Sequence, residues 1–128
     1  VMQTRLAMRT SQLAGILWHQ GESDSKSAET VQAYREKFDR IFNQLPLDLG
    51  VDPALPLVIG EIADFSDRWP YWRQMNDVLM TIAATRENCV LVRADGLTGA
   101  ADGIHFSAAS YRELGRRYFA AFQKATKR

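Results

Sequence analysis

The chain has 128 residues, which suffices for one domain with a single hydrophobic core and is too few for two ordinary domains. Its hydrophobic share of 46% and its charged share of 24% are typical of a globular protein. The formal net charge is +1 and the basic residues are scattered, which argues against a nucleic acid or an anionic membrane as a partner.

The first part of the sequence predicts a helix end, a short strand and a long helix. Residues 5–13 have the pattern of a helix that stops near Gly15, and residues 15–18 have the pattern of a short buried strand. From residue 28 onward, apolar side chains recur at helical spacing and form one stripe: Val31, Tyr34, Phe38, Ile41, Phe42 and Leu45. The connection that follows is marked by Pro46, Gly50, Pro53 and Pro56.

The rest of the sequence predicts two more strands and two more helices. Residues 57–62 and 89–92 are short apolar runs, and the second contains the only cysteine, Cys89, which we expect to be a buried thiol. Pro70 suits the start of a helix whose apolar stripe comprises Met75, Val78, Leu79 and Ile82. After a loop over residues 93–106, Ser107 is placed to cap the last helix. The expected buried face of that helix consists of Tyr111, Leu114, Tyr118, Phe119 and Phe122.

Three apolar strands separated by helices predict an α/β fold, a three-layer α/β/α sandwich with a parallel, flavodoxin-like sheet. Sheets usually have about five strands, so three strands would leave one apolar edge uncovered. The chain also starts at Val1 and not at a methionine. We therefore expect residues 1–128 to be the C-terminal part of a single domain, completed by a removed segment or by a second chain.

Two polar segments follow predicted strands, at the end of the sheet where ligands bind in folds of this type. Residues 18–24, Trp-His-Gln-Gly-Glu-Ser-Asp, follow the first strand, and residues 102–107, Asp-Gly-Ile-His-Phe-Ser, precede the last helix. The chain is therefore expected to bring an amide, several carboxylates and a histidine to one edge of the sheet.

Asp102 and His105 fit the roles of an orienting carboxylate and a general base. A carboxylate three residues before a histidine, in a turn that leads into a helix, can accept the Nδ1 hydrogen of the imidazole. Nε2 is then left to take a proton from a nucleophilic hydroxyl. The spacing is common by chance, and the alternative is an Asp-Gly turn followed by a histidine near a helix start.

The turn after the first strand offers what acyl transfer also requires. The amide of Gln20 can donate to the oxyanion of a tetrahedral intermediate, and Gly21 permits close backbone approach. Glu22 cannot donate while it is ionised, so we expect it to orient neighbouring groups or to support His105. The alternative is a loop between strand and helix with Ser25 or Ser27 as the helix cap, a role that is compatible with the catalytic one.

Residues 18–24 resemble the third conserved block of the sialate O-acetylesterase and acetylxylan esterase branch of the SGNH hydrolases, where Gln-Gly-Glu replaces an oxyanion-hole asparagine. Residues 102–107 resemble the last block of the family, which holds the catalytic aspartate and histidine. The resemblance implies a serine esterase, without a metal or organic cofactor, that removes acetyl groups from saccharides such as xylan or sialic acid. The catalytic residues that it implies are His105, Asp102, Gln20, Gly21 and Glu22.

The nucleophile of that family has no counterpart in the chain. The family's serine lies in a Gly-Gln-Ser-Asn or Gly-Asp-Ser turn well before the Gln-Gly-Glu block, and no such motif precedes Gly15. The block that donates an oxyanion-hole glycine is missing too. Ser23 falls within the oxyanion block of the resemblance, so it is not assigned as the nucleophile. We expect the serine to lie in an upstream segment and the 128-residue chain alone to be inactive.

A metal-dependent hydrolase is the first alternative function. The ligands that it would use are His19, Glu22, Asp24, Asp102 and His105. His19 and Glu22 do not share a predicted helix face, and no tight ligand motif appears, so this alternative is the weaker one.

A non-catalytic carbohydrate-binding remnant is the second alternative. Trp69, Tyr71 and Trp72 form an aromatic cluster after the second strand, and aromatic faces can stack on sugars. Trp72 fits the stripe of the following helix, so Trp69 is expected to be the exposed member that meets the saccharide. Arg93, at the end of the third strand, is expected to meet either the substrate or a carboxylate.

Overall fold

The fold is that of a computed structural model, which describes residues 1–65 and 67–126. The helices are α1 (Met2–Ala7), α2 (Ala28–Leu49), α3 (Trp72–Thr85) and α4 (Ala108–Ala125). The strands are β1 (Ile16–Trp18), β2 (Leu57–Gly60) and β3 (Cys89–Val92). A 3-10 turn, Ser23–Lys26, lies between β1 and α2.

The three strands form a parallel sheet in the order β1-β2-β3, in which Leu57 pairs with Ile16 on one side and with Cys89 on the other. Successive side chains of a strand point to opposite faces. Ile59 accordingly packs into the core formed with α2 and α3, whereas Val58 packs against α4. A parallel sheet with helices on both faces confirms the predicted α/β/α fold class, and the three predicted strands are present.

The long helix continues through Pro46 to Leu49, so the prediction that Pro46 lies in the connection is wrong. Proline has no N–H to donate to the carbonyl of Phe42, four residues earlier. Arg86 compensates for this loss, because its Nη2 donates to that carbonyl at 3.4 Å. Ile41 is a second difference: the predicted buried stripe includes it, but 46% of its surface is exposed.

The helix ends differ in how well local signals predict them. Ser107 caps α4 as predicted, since its Oγ accepts from the N–H of Ser110 at 3.2 Å, and Ser27 caps α2 in the same way. The stop expected near Gly15 is wrong, because α1 ends at Ala7. None of the residues of α1 is buried, so packing does not stabilise further helical turns. Among the described residues, no helix has both the length and the apolar character that crossing a membrane requires.

One edge of the sheet is apolar and uncovered. Leu17 in β1 is 60% exposed, and two residues expected on the buried face of α4, Tyr111 and Phe119, are also exposed. They border a groove of about 580 Å³ between β1 and α4. Within the described chain no strand lies beyond β1, so these side chains have no apolar layer to pack against.

Candidate active site

The two polar segments lie next to each other at the end of the sheet formed by the carboxyl ends of the strands. His19 follows β1 directly, and its ring contacts the ring of Phe106 edge-on, with centroids 5.7 Å apart. Phe106 is adjacent in sequence to His105, and it is buried, with only 6% of its surface exposed. The turn after β1 and the turn before α4 are therefore neighbours, as the parallel sheet predicts.

The side chains of Asp102 and His105 form a hydrogen-bonded pair. Nδ1 of His105 lies 2.7 Å from Oδ2 of Asp102. Because an ionised carboxylate only accepts hydrogen bonds, Nδ1 carries the hydrogen and donates it. The other carboxylate oxygen accepts from the backbone N–H groups of Ile104 and His105, at 2.9 and 3.0 Å. The imidazole and these two N–H groups together hold the pKa of Asp102 well below its usual range.

The local backbone explains why the pair forms. Gly103 has a φ of +63°, a left-handed conformation that glycine adopts without a steric penalty, and it turns the chain between Asp102 and His105. On the far side, Phe106 packs between the rings of Phe65 and Tyr111, with centroid distances of 5.0 and 5.6 Å. The pair is thus fixed between a tight turn and a buried aromatic anchor.

The free nitrogen of His105 is accessible. The side chain of His105 is 65% exposed, and within the described residues Nε2 has no hydrogen-bond partner. A neutral imidazole whose Nδ1–H is bonded to a carboxylate presents a lone pair at Nε2. This geometry suits the acceptance of a proton from a hydroxyl brought to the same edge of the sheet.

Gln20 does not converge on His105 as expected. Its side-chain Nε2 donates to Oδ2 of Asp24 at 2.8 Å. The backbone carbonyl of Gln20 accepts from the hydroxyl of Tyr34 in α2 at 3.1 Å. The side chain therefore lies on the α2 side of the sheet, because alternate residues of β1 and its extension face opposite layers. The amide has two hydrogens, and the bond to Asp24 uses one of them. A role in binding an oxyanion stays a prediction.

Gly21 and Glu22 are placed for structural contacts. Gly21 is buried with a φ of +148°, and a Cβ there would lie 3.0 Å from Cγ of Met75 in α3. Close backbone approach, predicted for this glycine, is thus an approach to the core. Oε1 of Glu22 lies 3.6 Å from Nε2 of His19, beyond hydrogen-bond distance, and a contact with His105 is not observed, so the orienting role of Glu22 stays a prediction.

His19 is the residue of this region whose role the sequence did not reveal. Its Nδ1 lies 3.2 Å from the hydroxyl of Tyr118, which donates to the carbonyl of Trp18 at 2.8 Å. Nε2 is buried and has no hydrogen-bond partner within the described chain. Burial lowers the pKa of His19, and the nearby charge of Glu22 opposes this effect in part. Strand alternation alone could have placed His19 towards α4, opposite to its neighbours Trp18 and Gln20.

The lowered pKa of His19 predicts a pH-dependent stability. In the range below about 6.5, the unfolded chain binds a proton at this histidine more readily than the folded chain does, so stability falls as the pH falls. Asparagine at position 19 does not titrate. Urea unfolding at pH 7.5 and pH 5.5 should therefore show a larger loss of unfolding free energy for the wild-type chain than for His19→Asn. Equal losses would show that burial does not depress the pKa of His19.

The two residues proposed to meet the substrate are both engaged within the protein. The prediction that Trp69 is exposed is wrong: 7% of its surface is exposed, and its indole Nε1 donates to the carbonyl of Ala63 at 3.2 Å. Its face is therefore not available for stacking on a sugar. Arg93 contacts carboxylates, which is one of the two predicted alternatives: its Nε lies 3.1 Å from Oε1 of Glu61 and 3.1 Å from Oδ2 of Asp95.

The five side chains considered as metal ligands do not form a ligand set. His19 contacts Glu22, Asp24 binds Gln20 and Lys37, and Asp102 binds His105. Within residues 1–65 and 67–126, no three histidine, cysteine or acidic side chains are grouped closely enough to hold a metal ion. The geometry thus offers no support for the alternative of a metal-dependent hydrolase.

Comparison with known proteins points to carbohydrate esterases. Residues 1–124 match the family model described as "SASA: Carbohydrate esterase, sialic acid-specific acetylesterase". The "Probable carbohydrate esterase At4g34215" of Arabidopsis thaliana is 28% identical over 104 residues, which cover 81% of this chain and 38% of that protein. The X-ray structure of the Arabidopsis thaliana protein AT4G34215 gives a TM-score of 0.86 at 25% identity, covering 96% of this chain and 49% of that one. The chain thus spans less than half the length of the relative that it matches.

Proposed function

Because this chain belongs to the sialic acid-specific acetylesterase family of carbohydrate esterases, we propose that it is the C-terminal part of a serine-type O-acetylesterase. Its substrates are acetylated saccharides such as acetylated xylan or acetylated sialic acid, and its nucleophilic serine lies in an upstream segment. The observation that carries the proposal is the Asp102–His105 pair, bonded through Nδ1 at 2.7 Å with Nε2 exposed at the edge of the sheet.

The reaction proceeds in two steps through an acetyl-enzyme. Nε2 of His105 removes the proton from the serine hydroxyl as the serine oxygen attacks the acetyl carbonyl. The tetrahedral intermediate collapses when His105 returns that proton to the departing sugar oxygen. His105 then takes a proton from water, and the resulting hydroxide attacks the acetyl-serine. The second tetrahedral intermediate releases acetic acid, which ionises to acetate in solution, and the proton on His105 returns to the serine.

The roles of the neighbouring residues follow from their contacts. Asp102 accepts from Nδ1 and stabilises the imidazolium that forms during each step. Gln20 donates the second hydrogen of its amide to the oxyanion, while its first stays with Asp24. With the bond to Asp24 kept, this assignment requires the oxyanion to lie on the α2 side of the sheet, where the amide is.

The open edge of β1 supports the proposed upstream segment. Exposed apolar side chains, among them Leu17 and Phe119, line the groove beside β1, whereas the cavity beside the other edge strand, β3, includes Arg93, Asp95 and Arg117. Charged side chains protect a natural edge strand from further pairing, and an apolar edge favours it. A strand added in parallel to β1 would have its carboxyl end beside the carboxyl end of β1. His105 lies at that end of the sheet, and the serine is needed there.

The test compares the 128-residue chain with the natural polypeptide that contains it, whose mass and sequence are determined first. We expect the natural polypeptide to release acetate from an acetylated xylo-oligosaccharide or from O-acetyl sialic acid, and the 128-residue chain to release none. A serine-reactive fluorophosphonate should label one serine outside residues 1–128.

Two controls separate the proposal from its alternatives. Activity that is lost on chelation and restored by a divalent cation would replace the serine mechanism with a metal-dependent one. Labelling of Ser23, or comparable turnover by the 128-residue chain alone, would contradict the proposed upstream nucleophile.

A further inference from the structure

The imidazole of His19 lies between the turn after β1 and the turn that carries His105. Its ring contacts the ring of Phe106 at an interplanar angle of 65°. The ring of Tyr118 in α4 also lies near the imidazole, with the two ring centroids 6.3 Å apart. His19 thus touches the residue next to the proposed general base without touching the base itself.

The hydrogen-bond pattern defines which nitrogen of His19 carries the hydrogen. The hydroxyl of Tyr118 has a single hydrogen, which it donates to the carbonyl of Trp18 at 2.8 Å. Towards Nδ1 of His19, 3.2 Å away, that hydroxyl can therefore only accept. Nδ1 consequently carries the hydrogen, and this bond fixes the plane of the ring that faces Phe106.

Phe106 is well placed to transmit the position of His19 to His105. Backbone hydrogen bonds flank the segment on both sides: the N–H of Ala100 donates to the carbonyl of His105 at 2.7 Å, and that of Ser107 to the carbonyl of Thr98 at 2.9 Å. Between these bonds the buried ring of Phe106 is the contact that faces His19. A shift of Phe106 would therefore move the backbone of His105.

We propose that His19 is a positioning residue, whose ring, oriented by Tyr118, holds Phe106 and thereby the turn that carries Asp102 and His105. His19 does not itself act on the substrate, because its Nδ1 is bonded and its Nε2 is buried. Burial also disfavours the charged form of this imidazole and lowers its pKa. The catalytic consequence rests on the proposed esterase function, whereas the structural role does not.

Two substitutions separate the ring contact from the hydrogen bond. Asparagine at position 19 keeps a donor close to the position of Nδ1 and removes the ring, whereas phenylalanine keeps the ring and removes the donor. Loss of one aromatic contact corresponds to a change of about threefold to tenfold in a local opening equilibrium. We expect His19→Asn to accelerate amide hydrogen exchange at Ala100 and Ser107 by that factor, and His19→Phe to retain most of the wild-type protection.

The measurement is amide hydrogen exchange on the 128-residue chain, with Leu57 as an internal reference because its N–H is bonded in the sheet region to the carbonyl of Asn88 at 2.9 Å. Unchanged exchange at Ala100 and Ser107 in His19→Asn would overturn the proposal. Equal acceleration at Leu57 would overturn it as well, since His19 would then stabilise the whole fold. If the amides of Ala100 and Ser107 exchange as fast in His19→Phe as in His19→Asn, the ring contact with Phe106 does not hold the turn, and the proposal is rejected.

Activity provides the second readout in the complete polypeptide. We expect His19→Asn to lower kcat by about tenfold at an unchanged KM, because the base is displaced while the substrate is still bound, and His19→Phe to restore most of it. Altered exchange in a protein without esterase activity would leave the positioning role intact and reject the proposed function. Altered exchange with an unchanged kcat would show that the position of the turn held by His19 does not affect catalysis, and would reject the catalytic consequence of the proposal.

Discussion

Replacing His105 with alanine in the complete polypeptide is expected to lower kcat by at least about three orders of magnitude. Without the imidazole, the proposed acceptor of the serine proton is lost, and so is the proposed proton donor to the departing sugar oxygen. KM should change little, because the role proposed for the imidazole is to accept a proton from the serine and not to bind the saccharide in the ground state. Acetate release at saturating substrate and neutral pH measures the effect.

The second histidine of the chain is the natural control for this substitution. His19 lies near the same edge, yet its substitution by asparagine is expected to lower kcat by only about tenfold, since its ring positions the turn and takes no proton from the substrate. A smaller effect at His105 than at His19, or comparable turnover by His105→Ala and the wild type, would remove His105 from its role as the base. Circular dichroism verifies that both variants are folded.

The features that were predictable from sequence depend on local patterns. The strand at Leu57 and the strand at Cys89 are short apolar runs, and a parallel sheet follows from the helices between them. The cap at Ser107 depends only on an N–H three residues away. The Asp102–His105 bond forms within one tight turn, so its geometry is set by four consecutive residues.

The features that were not predictable depend on particular side-chain hydrogen bonds, which no sequence pattern specifies and of which one joins residues far apart in the sequence. Helix α2 passes through Pro46 because Arg86, 40 residues later, donates to the carbonyl that the proline leaves free. Trp69 is buried because the chain folds its indole onto the carbonyl of Ala63. The direction of Gln20 depends on a bond to Asp24 that the family resemblance does not describe.

The substitution Gly60→Ala is expected to destabilise the chain by about 3 kcal/mol or to prevent it from folding. Gly60 ends β2 directly beneath the pair formed by His19 and Tyr118, and an alanine Cβ would lie 2.8 Å from Nδ1 of His19 and closer still to the hydroxyl of Tyr118. Neither atom can withdraw freely, because the hydroxyl is bonded to the carbonyl of Trp18 and the imidazole packs on Phe106. Urea unfolding followed by fluorescence measures the loss.

The matched control is Gly115→Ala, in the middle of α4. A Cβ at this position would meet no atom within 4 Å, and alanine is favoured over glycine in a helix by about 1 kcal/mol, so this variant should be more stable than the wild type. The same substitution is therefore expected to lower the free energy of unfolding at Gly60 and to raise it at Gly115. The difference between the two changes reports how tightly His19 and Tyr118 pack against Gly60. If Gly60→Ala unfolds at the wild-type urea concentration, the imidazole and the phenol do not occupy that space, and the positioning of the His105 turn by His19 loses its structural basis.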